Sequence, residues 1–234
     1  MIFKKHYSKL TDISYAKIKW FTKCPWAFRL KYLERVQPIY YDPDIFKVGS
    51  IVHDTINEYY MIAPKKPLIY DTLMYTYFRR FDHSLGFDRF AAGKECIIHF
   101  SDFEKLRREK NDEFPESEIV VSDDNLYGII DALFKSPTAD NTVIDFKTGK
   151  KARINSSYKQ QAVIYDILSG CPGRVYFYFL YDNVILEQVV TDSMRKEIYN
   201  LRDQILAAVE NKDFPPSTSC KRCEFRHCCI KKCS

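Results

Sequence analysis

Residues 142–150, "TVIDFKTGK", place an acid and a lysine two positions apart in an otherwise apolar run. Side chains alternate along a strand, so Asp145 and Lys147 share one face while Ile144 and Phe146 point the other way. A charged pair in a buried strand is costly unless something binds it. Asp131, which closes the run "LYGII", can stand beside Asp145 on an adjacent strand. Two carboxylates converging at a strand edge form a hard-oxygen site suited to Mg²⁺ or Mn²⁺. Lys147 next to them could orient or help deprotonate an attacking water and stabilise phosphoryl charge. Taken alone, the triplet is a weak motif that also fits a structural salt bridge beside the Thr148-Gly149 turn.

Other polar residues fall at helical spacings. His53 follows Gly49 by four positions, so the glycine permits close packing one turn before the imidazole. Gln161 and Tyr165 are i, i+4 neighbours on one helix face, with Tyr158 three positions before Gln161. Such a helical His is commonly a satisfied polar residue and such an aromatic commonly core, yet a glutamine beside it needs a polar partner.

A second constellation is made of thiols. Cys220-x-x-Cys223 is followed after five residues by Cys229, and Cys24 in "KCPWAF" could supply a fourth ligand from the other end. Four thiolates suit Zn²⁺ or a [4Fe–4S] cluster. Cys228 and Cys233 are spare, and Cys228 could replace Cys229. Cys96 and Cys171 read as buried thiols. The segment after Pro215-Pro216 looks too poor in apolar residues to dock unaided, so metal ligation would provide its folding energy.

These residues need elements to hold them. Residues 11–36 read as short helices around Cys24-Pro25, with Ser14 as N-cap and Pro25 in a first turn. A loop through Pro38 and Pro43 leads to a helix over 48–62, with Ile51, Val52, Thr55, Ile56 and Tyr59 inward. Residues 64–115 look mainly helical, best over 71–85 and 96–110. Two β-rich runs flank the turn Ser122-Asp123-Asp124-Asn125, and 141–149 forms a third strand. An amphipathic helix ends at Gly170. Two further strands and a long helix follow, then an irregular, cysteine-dense tail. The pattern predicts an α/β fold in which a central mixed sheet is flanked by helices. It reads as one domain over 1–234: a mainly helical part (1–115), a core (116–210) and a cysteine-rich segment (211–234).

The bulk composition supports a folded chain. Of 234 residues, 46% are hydrophobic and 15% aromatic, enough for a substantial core, while Gly and Pro number only 7 and 10. The net charge of +5 permits a nucleic-acid partner without demanding one. No stretch resembles a signal peptide, and the apolar run 175–181 is far short of the roughly 18 residues that span a bilayer. A soluble, cytoplasmic protein in a reducing compartment is expected, with no membrane partner and its cysteines unpaired. Lys150, Lys151 and Arg153 follow the acidic strand directly and could contact phosphates without sequence preference. Trp20, Trp26, Phe81 and Phe90 are candidates for base stacking.

Read in order, G-x-x-x-H, G-x-x-D, D-x-K-T-G and Y-x-x-Q-x-x-x-Y resemble the RecB-like branch of the PD-(D/E)XK nuclease superfamily. The resemblance runs from Ser14 to the C-terminus, with 64–115 contributing little, and implies a restriction-endonuclease-like core. It implies that His53, Asp131, Asp145 and the main-chain carbonyl of Phe146 hold the Mg²⁺ or Mn²⁺, and that Lys147 assists the water. Gln161 and Tyr165 would line the site near the DNA backbone, where Tyr158 would also bind. An acid before the hairpin is typical, with Glu118 favoured over Glu116. One N-terminal thiolate with C-x-x-C-x₅-C resembles the iron–sulfur subset, which includes AddB-type nucleases and CRISPR-associated RecB-like exonucleases. There Cys24, Cys220, Cys223 and Cys229 would ligate a structural [4Fe–4S] cluster, with Zn²⁺ as alternative.

The resulting expectation is a metal-dependent DNA nuclease, an exonuclease on single strands or ends. An endonuclease on branched DNA or RNA, and a DNA-binding scaffold subunit without chemistry, stay open. With no G-x-x-x-x-G-K-[ST] motif, unwinding would fall to a helicase partner. Recombination, repair and CRISPR adaptation proteins are equally compatible partners.

Overall fold

Asp124 and Asn125 both adopt left-handed backbone, with φ of 45° and 61°. That is the requirement of a tight two-residue hairpin, and both residue types tolerate it. The hairpin joins β1 (Glu116–Asp123) to β2 (Leu126–Phe134), where the sequence places its turn. β3 (Thr142–Lys147), β4 (Arg174–Phe179) and β5 (Val184–Val189) complete one sheet in the order β1-β2-β3-β4-β5. All neighbours are antiparallel except β3 and β4. The parallel pair needs a crossover, supplied by α6 (Ser156–Ser169), which Asn155 caps and Gly170 ends at φ 65°.

This computed structural model describes residues 9–39, 43–62, 68–110, 113–136, 140–171, 173–217 and 223–229. Helices cover both faces of the sheet. α1 (Tyr15–Lys23), α2 (Pro25–Tyr32), α6 and α7 (Asp192–Asn211) share a core with Val143, Val175, Phe177 and Phe179. On the other face α3 (Pro43–Ile62), α4 (Ile69–Arg80) and α5 (Phe87–Lys110) pack against Ile144, Phe146, Tyr178 and Leu180. β3 and β4 are therefore buried on both sides, which explains their near-continuous apolar runs. Among the described residues no helix is long and apolar enough to cross a membrane.

Several expectations need correction. α3 starts at Pro43, five residues before the expected 48, because proline is tolerated in a first helical turn. The expected helix 71–85 stops at Arg80, and a short 3₁₀ turn follows over His83–Leu85. Gly86, at φ 86°, then starts α5 nine residues ahead of Cys96. α5 runs through Gly93, where a Cβ would strike the Tyr77 hydroxyl, which donates to Phe90 O at 3.0 Å. Trp26 and Phe81 are core residues, 7% and 5% exposed, and so are not stacking platforms. The C-terminal segment does carry an apolar anchor. Phe225 is fully buried 5.5 Å from the Trp20 ring, and Ile39 N–H donates to Glu224 O at 3.0 Å.

Candidate active site

The site begins where two strands part. The β2–β3 ladder runs from Phe134↔Thr142 to Ala132↔Ile144 and stops. One step further that register sets Asp131 opposite Asp145. In the β1–β2 ladder, Ser117↔Ala132 and Ile119↔Ile130 bracket Glu118 and Asp131. Three acids thus form one row across adjacent strands. Glu118, at φ 47°, leaves regular strand geometry at this point, and its carboxylate accepts from Asn57 Nδ2 at 3.2 Å. Glu116 instead pairs with Lys135 at 2.6 Å on the exposed side.

Without β2 as a ladder partner, Phe146 N–H donates to Asp131 Oδ2 at 2.8 Å. The N–H and C=O of one strand residue point to the same side, so the Phe146 carbonyl faces the same gap. His53, from α3, brings Nδ1 to 3.3 Å from Asp131 Oδ1. Gly49 sets the approach of α3, since a Cβ there would lie 2.9 Å from Thr148 Oγ1. Burial alone would lower the His53 pKa, but the Asp131 carboxylate more than offsets it and lifts the imidazole to about 9. Burial likewise opposes the charge on Asp131, yet His53, Lys147 and the Phe146 N–H hold it below the usual carboxylate range.

Asp145 is 2% exposed. Burial raises its carboxyl to about 6, against the pull of Lys147 and with a further push from Asp131. Gln161 Nε2 donates to its Oδ1 at 2.7 Å, and Lys147 Nζ lies 2.5 Å from its Oδ2. Lys147 also donates to Gln161 Oε1 at 2.9 Å, and its ammonium lies 4.5 Å from the Tyr158 ring centroid. Burial opposes the lysine's charge, but Asp145 outweighs it and keeps the ammonium more basic than usual. Tyr165 hydroxyl accepts from Gln161 at 2.7 Å and donates to Ile129 O. Gly128 makes room, because a Cβ there would come within 2.9 Å of Tyr165 Cε1.

These groups border a cavity of about 460 Å³, within the range of small-ligand sites. It brings together His53, Asp131, Asp145, Phe146, Lys147, Gln161, Tyr165 and Tyr158. Lys150, Lys151 and Arg153 are not part of its lining; Lys150 Nζ lies over Tyr181 at 4.9 Å, beside a second hollow. The lining also includes Ser14 and Tyr15 from α1 and Tyr127 from β2, which sequence reasoning missed as site residues. Only their fold position brings them there, since an N-cap and the residue after it carry no catalytic pattern.

Among the described residues no three His, Cys, Asp or Glu side chains converge as a finished metal site. His53 and Asp131 meet each other, while Asp145 is held by Lys147 and Gln161. The donor set nonetheless fits a hard divalent cation: one imidazole, two carboxylates and a main-chain carbonyl border one cavity. Of the cysteines, Cys24 Sγ accepts from Ser217 N–H at 3.3 Å, and Cys24, Cys223 and Cys229 are partly buried against one core. Cys220 and Cys233 lie outside the described residues. Cys96 and Cys171 are buried free thiols.

A mixed sheet with helices on both faces and acids at a strand edge followed by lysine is consistent with a restriction-endonuclease-like core. Residues 12–230 match the model of the PD-(D/E)XK nuclease superfamily, and the chain belongs to that superfamily. No curated protein matches it in sequence. Among solved structures it is similar to a Eubacterium rectale protein named "Putative exonuclease", with TM-score 0.61, 14% identity and coverage of 100% of this chain and 96% of that one. That likeness shows the fold. The protein SSO0001 is 15% identical over 96% of this chain and 88% of that one, with a TM-score of 0.47.

Proposed function

We propose that the protein is a RecB-like, divalent-metal-dependent DNA nuclease acting as an exonuclease on single strands or ends. The observation that carries it is the buried Asp145, braced by Lys147 and Gln161 beside Asp131 and opening onto the cavity. Members of the superfamily generally use Mg²⁺ or Mn²⁺. His53, Asp131, Asp145 and the Phe146 carbonyl would hold the ion, which would neutralise phosphoryl charge and favour ionisation of water. Lys147 is a firmly protonated ammonium, so its part is to position water and donate to phosphate oxygen rather than to remove a proton. Gln161 fixes the rotamers of Asp145 and Lys147 together, and Tyr165 fixes Gln161. Lys150, Lys151 and Arg153 would hold the strand outside the cavity by its phosphates.

Cys24, Cys220, Cys223 and Cys229 would carry a [4Fe–4S] cluster, with Zn²⁺ as the alternative. The packing of 223–229 on α1 and the Cys24–Ser217 contact support the pairing of the two ends. Iron and zinc assays with visible absorbance on anaerobically purified protein distinguish the two. The function itself is tested with linear and circular single-stranded DNA in Mn²⁺. Loss of the linear substrate alone supports an exonuclease, and cutting of the circle makes it an endonuclease. Unwinding would come from a helicase or another repair, recombination or CRISPR adaptation partner, in a reducing cytoplasm.

A further inference from the structure

Tyr15 opens α1, and the chain before it is pinned to the sheet. Ile13 N–H donates to Asn125 O at 2.7 Å, and Tyr127 N–H donates to Ile13 O at 3.0 Å. Ser14 caps the helix through Lys17 N–H, and the Lys17 ammonium donates to Lys9 O and Asp12 O at 2.6 and 2.7 Å. The far end of α1 is held by the Trp20–Phe225 contact. Tyr15 is thus delivered to the cavity by a segment fixed at both ends.

Its side chain lines the cavity with Lys147, Asp145 and Tyr158. Lys147 and then Asp145 are the charges its hydroxyl feels most strongly. Among the described residues that hydroxyl has no hydrogen-bond partner. Tyr15 is partly buried on the cavity wall, so this hydroxyl faces the cavity with its donor uncommitted. Tyr165, by contrast, spends its hydroxyl on Gln161 and Ile129. The Tyr127 hydroxyl is also unpartnered, but its charged neighbour is Asp12 rather than the acid row.

We propose that Tyr15 contacts the substrate, its hydroxyl donating a hydrogen bond to a non-bridging oxygen of the scissile phosphodiester beside Lys147. The assignment rests on the nuclease reading. It makes the N-terminal helix part of the phosphate-binding wall, opposite the metal-ligand side supplied by α3. A phenol suits the task, since it donates one directed bond without adding charge next to Lys147.

The test compares wild type with Tyr15→Phe in Mn²⁺. The substrates are a linear single-stranded oligonucleotide and its two phosphorothioate diastereomers at the first cleavable linkage. A lost hydrogen bond to an anionic oxygen corresponds to about 10- to 100-fold in kcat/KM. The expected result is that loss on the normal phosphodiester, with unchanged melting temperature and Mn²⁺ affinity. Sulfur is a weak acceptor, so the variant should also lose part of the wild-type preference between diastereomers. Wild-type rates in Tyr15→Phe would overturn the assignment, as would a slower variant that keeps the full diastereomer preference. A wild-type protein that cuts none of the substrates would overturn the nuclease reading itself, a result distinct from either.

Discussion

Gln161 Nε2 stands 2.7 Å from Asp145 Oδ1 while its Oε1 accepts from Lys147 Nζ at 2.9 Å, so one amide clamps both members of the D-x-K triplet. Its orientation follows from having a carboxylate on one side and an ammonium on the other. Replacing Gln161 with Leu should lower kcat about 10- to 100-fold with little change in melting temperature. Gln161→Glu should do something more specific. It places a third carboxylate against Asp145, raises that group's pKa above its value of about 6, and moves the acid limb of the rate profile to higher pH. Superimposable pH profiles for the variant and wild type would contradict this coupling.

In the proposed metal site, His53 would make metal uptake proton-linked. Its folded pKa of about 9 exceeds the ordinary histidine value of 6.5, so in metal-free protein the pair with Asp131 contributes stability that is complete below about 6.5. That contribution fades as pH rises through 9. A metal ligand must be the neutral imidazole, so Mn²⁺ binding at pH 7.5 should expel about one proton from His53, and affinity should climb with pH. Calorimetric titration in PIPES and in Tris buffer checks it: binding enthalpies should differ by about one proton's worth of buffer ionisation heat. Identical enthalpies would mean that His53 is not displaced.

Gly128 and Gly49 both lack room for a Cβ, but for different neighbours. At Gly128 the obstacle is the Tyr165 ring at 2.9 Å, locked by Gln161 and Ile129, so Gly128→Ala should cost about 1–3 kcal/mol of stability and most of the activity. At Gly49 the obstacle is the Thr148 hydroxyl, which can rotate, and the helix gains roughly 1 kcal/mol from alanine. Gly49→Ala should therefore sit within about 1 kcal/mol of wild type. Chemical denaturation of the two variants decides between these outcomes.

The C-terminal segment has one apolar anchor, Phe225, and the cysteines would add a metal anchor of a different kind. Phe225→Ala removes a fully buried ring and should cost about 3–5 kcal/mol. Cys223→Ser should yield insoluble or clipped protein without visible absorbance, as expected of a ligand whose metal supplies folding energy. A soluble, uncleaved and fully active Cys223→Ser protein lacking absorbance would remove the staple role and leave Phe225 to hold the segment.

The acids, Lys147, Gln161 and Tyr165 were legible because strand and helix periods place them on common faces. The hairpin was legible too, since Asp124 and Asn125 are residues that accept positive φ. Helix limits at Pro43 and Phe87 were not, because proline and glycine punctuate chains in more than one way and only packing decides which. Gly93 lies ahead of the expected start at 96, and its fit against the Tyr77 hydroxyl is visible only in the packing. Tyr15 was invisible as a site residue for a similar reason. Its position follows from a long-range bridge between Ile13 and Leu126, which no local pattern encodes. Phe225 shows the reverse error, a single aromatic in a polar, cysteine-rich stretch that the packing uses fully.

The most direct test of the account is cleavage of linear single-stranded DNA in Mn²⁺ by wild type, Asp145→Ala and Lys147→Ala, with melting temperature and DNA binding measured alongside. The account predicts that wild type degrades the strand. Both variants should remain folded and bind DNA yet lose at least about 100-fold in rate. Cleavage at the wild-type rate by Asp145→Ala would contradict the assignment of the acid row as the catalytic centre.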